Sequence, residues 1–84
     1  MQVKTTKDFD KQYSRLNQKT KQQFMQRLDL FIANPFNPIL RNHPLKGKYR
    51  HCHSINVTGD VRAVYTVKDA SVVFGFIGTH SQLY

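Results

Sequence analysis

Apolar and polar positions recur along this chain in two rhythms, a helical one first and a strand-like one after it. Phe9, Tyr13 and Leu16 fall at i, i+4 and i+7, which is one face of a helix. Phe24, Leu28, Phe31 and Ile32, with Met25 beside them, draw a second stripe from about Gln18 to Ala33. Thr5 followed by Asp8 has the form of a capping box and starts the first helix. Asn17 breaks that helix and caps the next. Asn34-Pro35 ends the second helix, because a residue before proline is pushed out of helical backbone. The spacing predicts a helical hairpin with a short connection. Ahead of it, Met1 to Thr5 alternates weakly, with Val3 apolar and Lys4 polar, and fits a short edge strand.

Past the hairpin the rhythm is that of strands. Tyr49 to Val57 is expected to be one, with Ile55 and Val57 on a shared face. Thr58-Gly59 is a turn in which Gly59 is expected to supply a positive φ. Val61 to Val67 is rich in β-branched and aromatic residues and reads as the next strand. Lys68-Asp69 is a turn, and Ser71 to Ile77 is apolar almost throughout, hence central and buried. The order is β-α-α-β-β-β, an α+β architecture. A two-helix hairpin covers one face of a small, mainly antiparallel sheet and leaves the other face open to a ligand.

Length makes this one domain, residues 1–84. Such a chain buries a thin core, so a permanent partner would help it. It has no apolar run of about 18 residues, so no membrane span is expected. Met1 to Lys7 lacks an apolar segment of signal-peptide type. The lone Cys52 cannot form an internal disulfide, which suits a reducing cytosol and a cytoplasmic protein.

Charge changes the picture most. Thirteen Lys and Arg face five acids, all Asp, for a net +8. Such an excess speaks to partners and association rate rather than to fold. It favours nucleic acid or an acidic protein segment. A lipid surface fits least, since neither helix is a cationic amphipathic anchor with an interfacial aromatic face. The excess concentrates between Arg41 and His53, where Arg41, Lys46, Lys48, Arg50 and three histidines surround Tyr49 without one acid. The plain alternative is a solvated basic face.

Individual residues suggest chemistry. Asp60 and Arg62 stand two apart on an expected strand and so share a face. There Arg62 can meet a phosphate with two parallel hydrogen bonds. A local ion pair or an edge charge that discourages aggregation is the plainer account, and Asp60 after Gly59 is also an ordinary turn residue. His80 follows Gly78-Thr79 at the end of the last strand, and an imidazole exchanges protons near neutral pH. Tyr84 can stack on a base or dock the chain end. His43 precedes Pro44, so its backbone is extended and held in a loop within reach of the same cleft. Asn56 can bond a phosphate or ribose oxygen but cannot act as acid or base. His51 and His53 are at i, i+2 and would share a strand face with Cys52 on the other. That spacing permits a metal pair, but no third ligand stands at matching spacing, so donors to RNA are the expected role. Basic neighbours are expected to lower the Cys52 pKa, yet no second cysteine or base accompanies it, so a thiol nucleophile is not expected.

In this order and spacing the pieces resemble the RelE/ParE superfamily of bacterial type II toxins, nearest its YafQ-like branch. They are the two helices, His43-Pro44-Leu45-Lys46-Gly47, Val57-Thr58-Gly59-Asp60, Arg62 with Val64-Tyr65, and Gly78-Thr79-His80-Ser81 with Leu83-Tyr84. The resemblance covers nearly the whole chain. It implies a RelE-like (microbial RNase-like) fold, endonucleolytic cleavage of mRNA, usually in the A site of the 70S ribosome, and inhibition by a cognate acidic antitoxin in a hetero-oligomer. By position, His43, Asp60, His80 and Tyr84 match functional positions of the YafQ-like pattern, and Arg62 matches the phosphate-binding arginine of RelE proper. Asn56 stands where the YafQ-like pattern has a catalytic His, which removes one acid/base candidate. The expected chemistry is attack of the ribose 2′-OH on phosphorus without a metal or cofactor. Asp60 is the candidate base and His80 the candidate acid, with the roles exchangeable. Arg62, aided by Lys46 or Lys48, would steady the phosphoryl charge, with Arg50, His53 and Asn56 as further RNA contacts. Two rivals remain open: a ParE-like gyrase inhibitor of the same fold, and a basic RNA-binding module without catalysis.

Overall fold

The computed structural model describes residues 1–83. The elements in chain order are β1 (Gln2–Thr5), α1 (Lys7–Ser14), α2 (Gln18–Ala33), β2 (His43–Pro44), β3 (His53–Asn56), β4 (Val61–Lys68), β5 (Ser71–Thr79) and α3 (His80–Leu83). Tight 3₁₀ turns stand at Pro38–Leu40 and Gly47–Tyr49. The strands form one sheet in the order β1-β5-β4-β3-β2, parallel between β1 and β5 and antiparallel elsewhere. The expected α+β class and the helical hairpin over one sheet face are present. No helix of the described residues is long and apolar enough to cross a membrane.

Local chemistry accounts for most boundaries. Asn17 Oδ1 accepts from the Thr20 N–H at 2.8 Å and opens α2. Asn34 is extended ahead of Pro35 and closes it. The α1 cap lies one residue later than Thr5: Thr6 Oγ1 accepts from the Phe9 N–H at 3.1 Å, while Thr5 belongs to β1. The first hairpin strand starts at His53 rather than Tyr49. Gly47 takes a left-handed φ of 66°, and the chain around it closes tight turns, Tyr49 N–H to Lys46 O and Cys52 N–H to Tyr49 O, instead of pairing. Gly59 is not at positive φ. The left-handed non-glycine residues are Arg41 (φ 47°) and Asp69 (φ 55°), and Asp tolerates that region better than most.

The core fills the space between the helices and one sheet face. Phe74 lies at its centre, its ring 5.5–5.9 Å from those of Phe9, Phe24, Phe31 and Tyr65. Ile55, Val57, Ala63 and Ile77 complete the layer. β5 is flanked on both sides, by β1 and β4, as its apolar run predicts. Its register is not regular. Tyr65 pairs with Phe74 but Val64 pairs with Phe76, so Gly75 is an extra residue in a bulge. The bulge shifts the side-chain phase. Phe74 and Ile77 therefore both face the helices, while Phe76 turns to the open face.

β1 is too short to pair the whole of β5, and α1 supplies the missing partners. The Thr6 hydroxyl donates to Gly75 O at 3.0 Å. Gln12 Oε1 accepts from the Ile77 N–H at 2.9 Å. The strand that leads into His80 is thus held by two side chains as well as by β4.

Candidate active site

The open sheet face carries a cavity of about 500 Å³ that runs from β2 to the end of β5. Three permanent cations, Arg41, Lys46 and Arg62, line it with His43 and His80, and among the described residues no carboxylate does. Leu45 and Tyr49 form its apolar wall, and Ser54 and Asn56 part of its floor. A concave site with one sign of charge concentrates anions.

Arg62 is anchored by main chain. Its Nη1 donates to the carbonyls of Thr58, Gly59 and Val61 at 3.0–3.3 Å. Its Nε and Nη2 have no protein acceptor among the described residues, which leaves one guanidinium edge unpaired on a side chain that lines the cavity. That edge carries the two parallel donors that match two phosphate oxygens. Asn56, its cross-strand partner, lies beside it.

His43 is oriented through its other nitrogen. Its Nδ1 is 2.8 Å from Arg41 O. A carbonyl only accepts, so Nδ1 carries the proton and Nε2 of the neutral ring keeps the lone pair. The left-handed Arg41 backbone presents that carbonyl. His80 is set from the opposite side: its N–H donates to Asp60 O at 3.3 Å. Two strands separate β2 from β5, so the two histidines flank the cavity across about three strand spacings of ~4.8 Å.

The cavity thus gathers His43, Lys46, Asn56, Arg62 and His80 from the residues singled out in the sequence. It does not gather the others. β4 begins at Val61, so Asp60 is not on a strand with Arg62. It lies in the β3–β4 turn, where its backbone carbonyl serves His80 and its side chain is exposed. Lys48 and Arg50 lie outside the lining, and the Lys48 ammonium sits over the Tyr49 ring at 5.2 Å. His53 faces the helices. Its ring stacks on Tyr65 at 5.4 Å and its buried Nδ1 has no partner among the described residues. His51 precedes the strand, so the two histidines do not share a strand face. Cys52 departs from expectation too: burial raises its thiol pKa, and the nearby cations do not lower it. Tyr84 lies outside the described residues.

Sequence reading passed over Arg41, Tyr49 and Ser54 as site residues. Arg41 and Tyr49 had a signal, since both stand in the acid-free basic stretch. Ser54 had none: it is 0 % exposed, its hydroxyl lacks a partner among the described residues, and only the register of β3 puts it on the cavity floor.

Comparison with known proteins agrees with this architecture. The chain matches, over residues 1–84, the family described as "Bacterial toxin of type II toxin-antitoxin system, YafQ". It superposes on YafQ from E. coli strain BL21(DE3) with a TM-score of 0.83 at 21% identity, covering 98% of this chain and 96% of that one. A copper-bound mutant toxin from Helicobacter pylori is 26% identical, with a TM-score of 0.76 over 100% of this chain and 99% of that one. The YoeB/ParE toxin from Agrobacterium tumefaciens is 20% identical, with a TM-score of 0.80 over 95% and 99%. YafQ has also been solved as the E. coli DinJ-YafQ toxin-antitoxin complex, to which this chain is similar at 21% identity and a TM-score of 0.80, over 98% of this chain and 94% of that one. No curated protein matches the chain. The chain belongs to the YafQ family of bacterial type II toxins.

Proposed function

We propose that this member of the YafQ toxin family is an mRNA interferase, an endoribonuclease that arrests translation by cutting mRNA, with the 70S ribosomal A site as its place of action. The observation that carries the reading is Arg62. Its guanidinium is held through Nη1 by three carbonyls, and its other edge is left unpaired among the described residues, on a side chain that lines a cavity of cations and two imidazoles.

In the proposed reaction the ribose 2′-oxygen forms a bond to the adjacent phosphorus as the bond from phosphorus to the 5′-oxygen breaks. His43 Nε2 takes the 2′ proton, and the His80 imidazole gives a proton to the departing 5′-oxygen. The products are a 2′,3′-cyclic phosphate and a 5′-OH end. Arg62, Lys46 and Arg41 stabilise the charge on the phosphoryl oxygens. Loss of one preorganised donor of this kind typically costs about 10²–10³ in rate. The base is assigned to His43 rather than Asp60, because His43 lines the cavity and the Asp60 side chain does not.

An acidic antitoxin is the matching partner. A chain of net +8 with an acid-free cavity is complementary to an anionic segment. The DinJ-YafQ complex is a precedent within the family.

The test is mapping of mRNA 5′ ends after a short expression pulse in growing bacteria, wild type beside His80→Ala and Arg62→Ala. New ends inside translated codons, absent from both variants, are expected. Growth arrest with intact mRNA and stalled replication would replace the reading with gyrase inhibition. Equal cutting by folded His80→Ala would remove His80 as the acid.

A further inference from the structure

Beside the cationic cavity the open sheet face holds a second, more apolar cleft of about 250 Å³. The two are neighbours on the sheet: Val64 in this cleft is the cross-strand partner of Ser54 on the cavity floor. Its floor is Val64, Thr66, Val73 and Phe76, and its far rim is Asp8 of α1. Phe76 stands apart from the other buried rings. The Gly75 bulge turns it to the open face, where it is half-buried and has no ring partner among the described residues. Asp8 is exposed, its carboxylate has no hydrogen-bond partner among the described residues, and it is the one acid lining either cleft.

We infer that this cleft is a nucleobase subsite for a nucleotide next to the cleaved phosphate, in which Phe76 stacks on the base and Asp8 selects guanine. The inference rests on the nuclease reading and deepens it. A half-buried aromatic beside a phosphate site is what stacking of an unpaired base requires. Selection follows from donor and acceptor patterns. A carboxylate only accepts. Guanine offers it two adjacent donors on its Watson–Crick edge, N1–H and N2–H. Adenine and cytosine each set an amino donor beside a ring-nitrogen acceptor. Uracil sets its single N–H between two carbonyls. Guanine alone satisfies both carboxylate oxygens without opposing a lone pair.

The decisive variant is Asp8→Asn. An amide pairs one donor with one acceptor, which fits the amino group and ring nitrogen of adenine or cytosine and opposes one of the two guanine donors. Asp8 is exposed on the first turn of α1, so the variant is expected to fold. Sequences around mapped 5′ ends should favour guanine at one position by roughly tenfold in wild type, the range of a good bidentate pair. In Asp8→Asn that guanine preference should be lost, with adenine and cytosine gaining at the same position. Phe76→Ala should weaken binding of purified toxin to short RNA blocked by a 2′-deoxy group at the attack site, whatever the base. Ends that show no base bias, or a bias identical in Asp8→Asn, would overturn the subsite and leave the nuclease standing. Absence of any new ends would overturn the nuclease reading, and the subsite with it. Undiminished RNA binding by folded Phe76→Ala would remove the stacking role.

Discussion

Gln12 is a helix residue that completes a strand, and its removal has a calculable cost. Its Oε1 accepts from the Ile77 N–H at 2.9 Å, at a point where β1 has already ended. Ile77 is 1% exposed with Gln12 in place, so a replacement water could reach the amide only through the cleft that Gln12 and Ile77 line. A buried donor left unpaired costs about 1–3 kcal/mol. Alanine returns a few tenths of a kcal/mol as a better helix former, which leaves roughly 1–2 kcal/mol net for Gln12→Ala. That is a substantial share of the ~4–13 kcal/mol expected for a domain of 84 residues. With a urea slope of about 1 kcal/mol/M for so small a protein, the unfolding midpoint should fall by about 1–2 M. Gln12→Glu keeps an acceptor at the same reach and should recover most of the loss. Hydrogen exchange should localise the effect, with the Ile77 amide losing more protection in Gln12→Ala than the amides of β3. His80 lies three residues beyond Ile77, so the same variant should also lower RNA cleavage. A midpoint within about 0.3 M of wild type, with Ile77 still protected, would refute the claim that this side chain carries the strand.

The base assignment separates two carboxyl and imidazole variants. His43→Gln should reduce mapped cleavage by about 10²–10⁴, the usual worth of a general base, while Asp60→Asn, which keeps the backbone carbonyl that holds His80, should change it less than about fivefold. Equal losses would return Asp60 to the chemistry. Burial raises the Cys52 thiol pKa, so less thiolate is present at neutral pH than for a free thiol. Alkylation by iodoacetamide should therefore be slower than for a small-molecule thiol, and its rate should climb only at more alkaline pH. Faster alkylation than the free thiol would mean that the neighbouring cations dominate after all.

What could be read from the sequence divides along physical lines. Helix stripes and caps are local, so α2 was legible to the residue, from its Asn17 cap to its end before Pro35. The α1 cap slipped by one residue because Thr5 and Thr6 offer the same side chain, and only the end of β1 pairing decides between them. The cavity lining was legible in part by residue type, since cations and imidazoles gather in an acid-free stretch. Its membership was not, because two left-handed residues set it. Gly47 folds Lys46–Tyr49 into turns that present Lys46 and Tyr49 to the cavity, and Arg41 aims its carbonyl at His43. The Gly75 bulge is the sharpest case. Strict alternation puts Phe74 and Phe76 on one face, and the run from Ser71 to Ile77 is too uniformly apolar to contradict it. One extra residue separates them, sending Phe74 to the centre of the core and Phe76 to the face beside the cationic cavity. A period can be counted along a chain, but a bulge is a relation between two strands. Filling it tests this account directly. The space around Gly75 leaves room for a Cβ, so Gly75→Ala should fold with its bulge kept. Deleting Gly75 should leave Phe74 and Phe76 adjacent, where plain alternation sends them to the opposite faces they already hold, so the variant should cost well below the ~3–5 kcal/mol of a lost core phenylalanine.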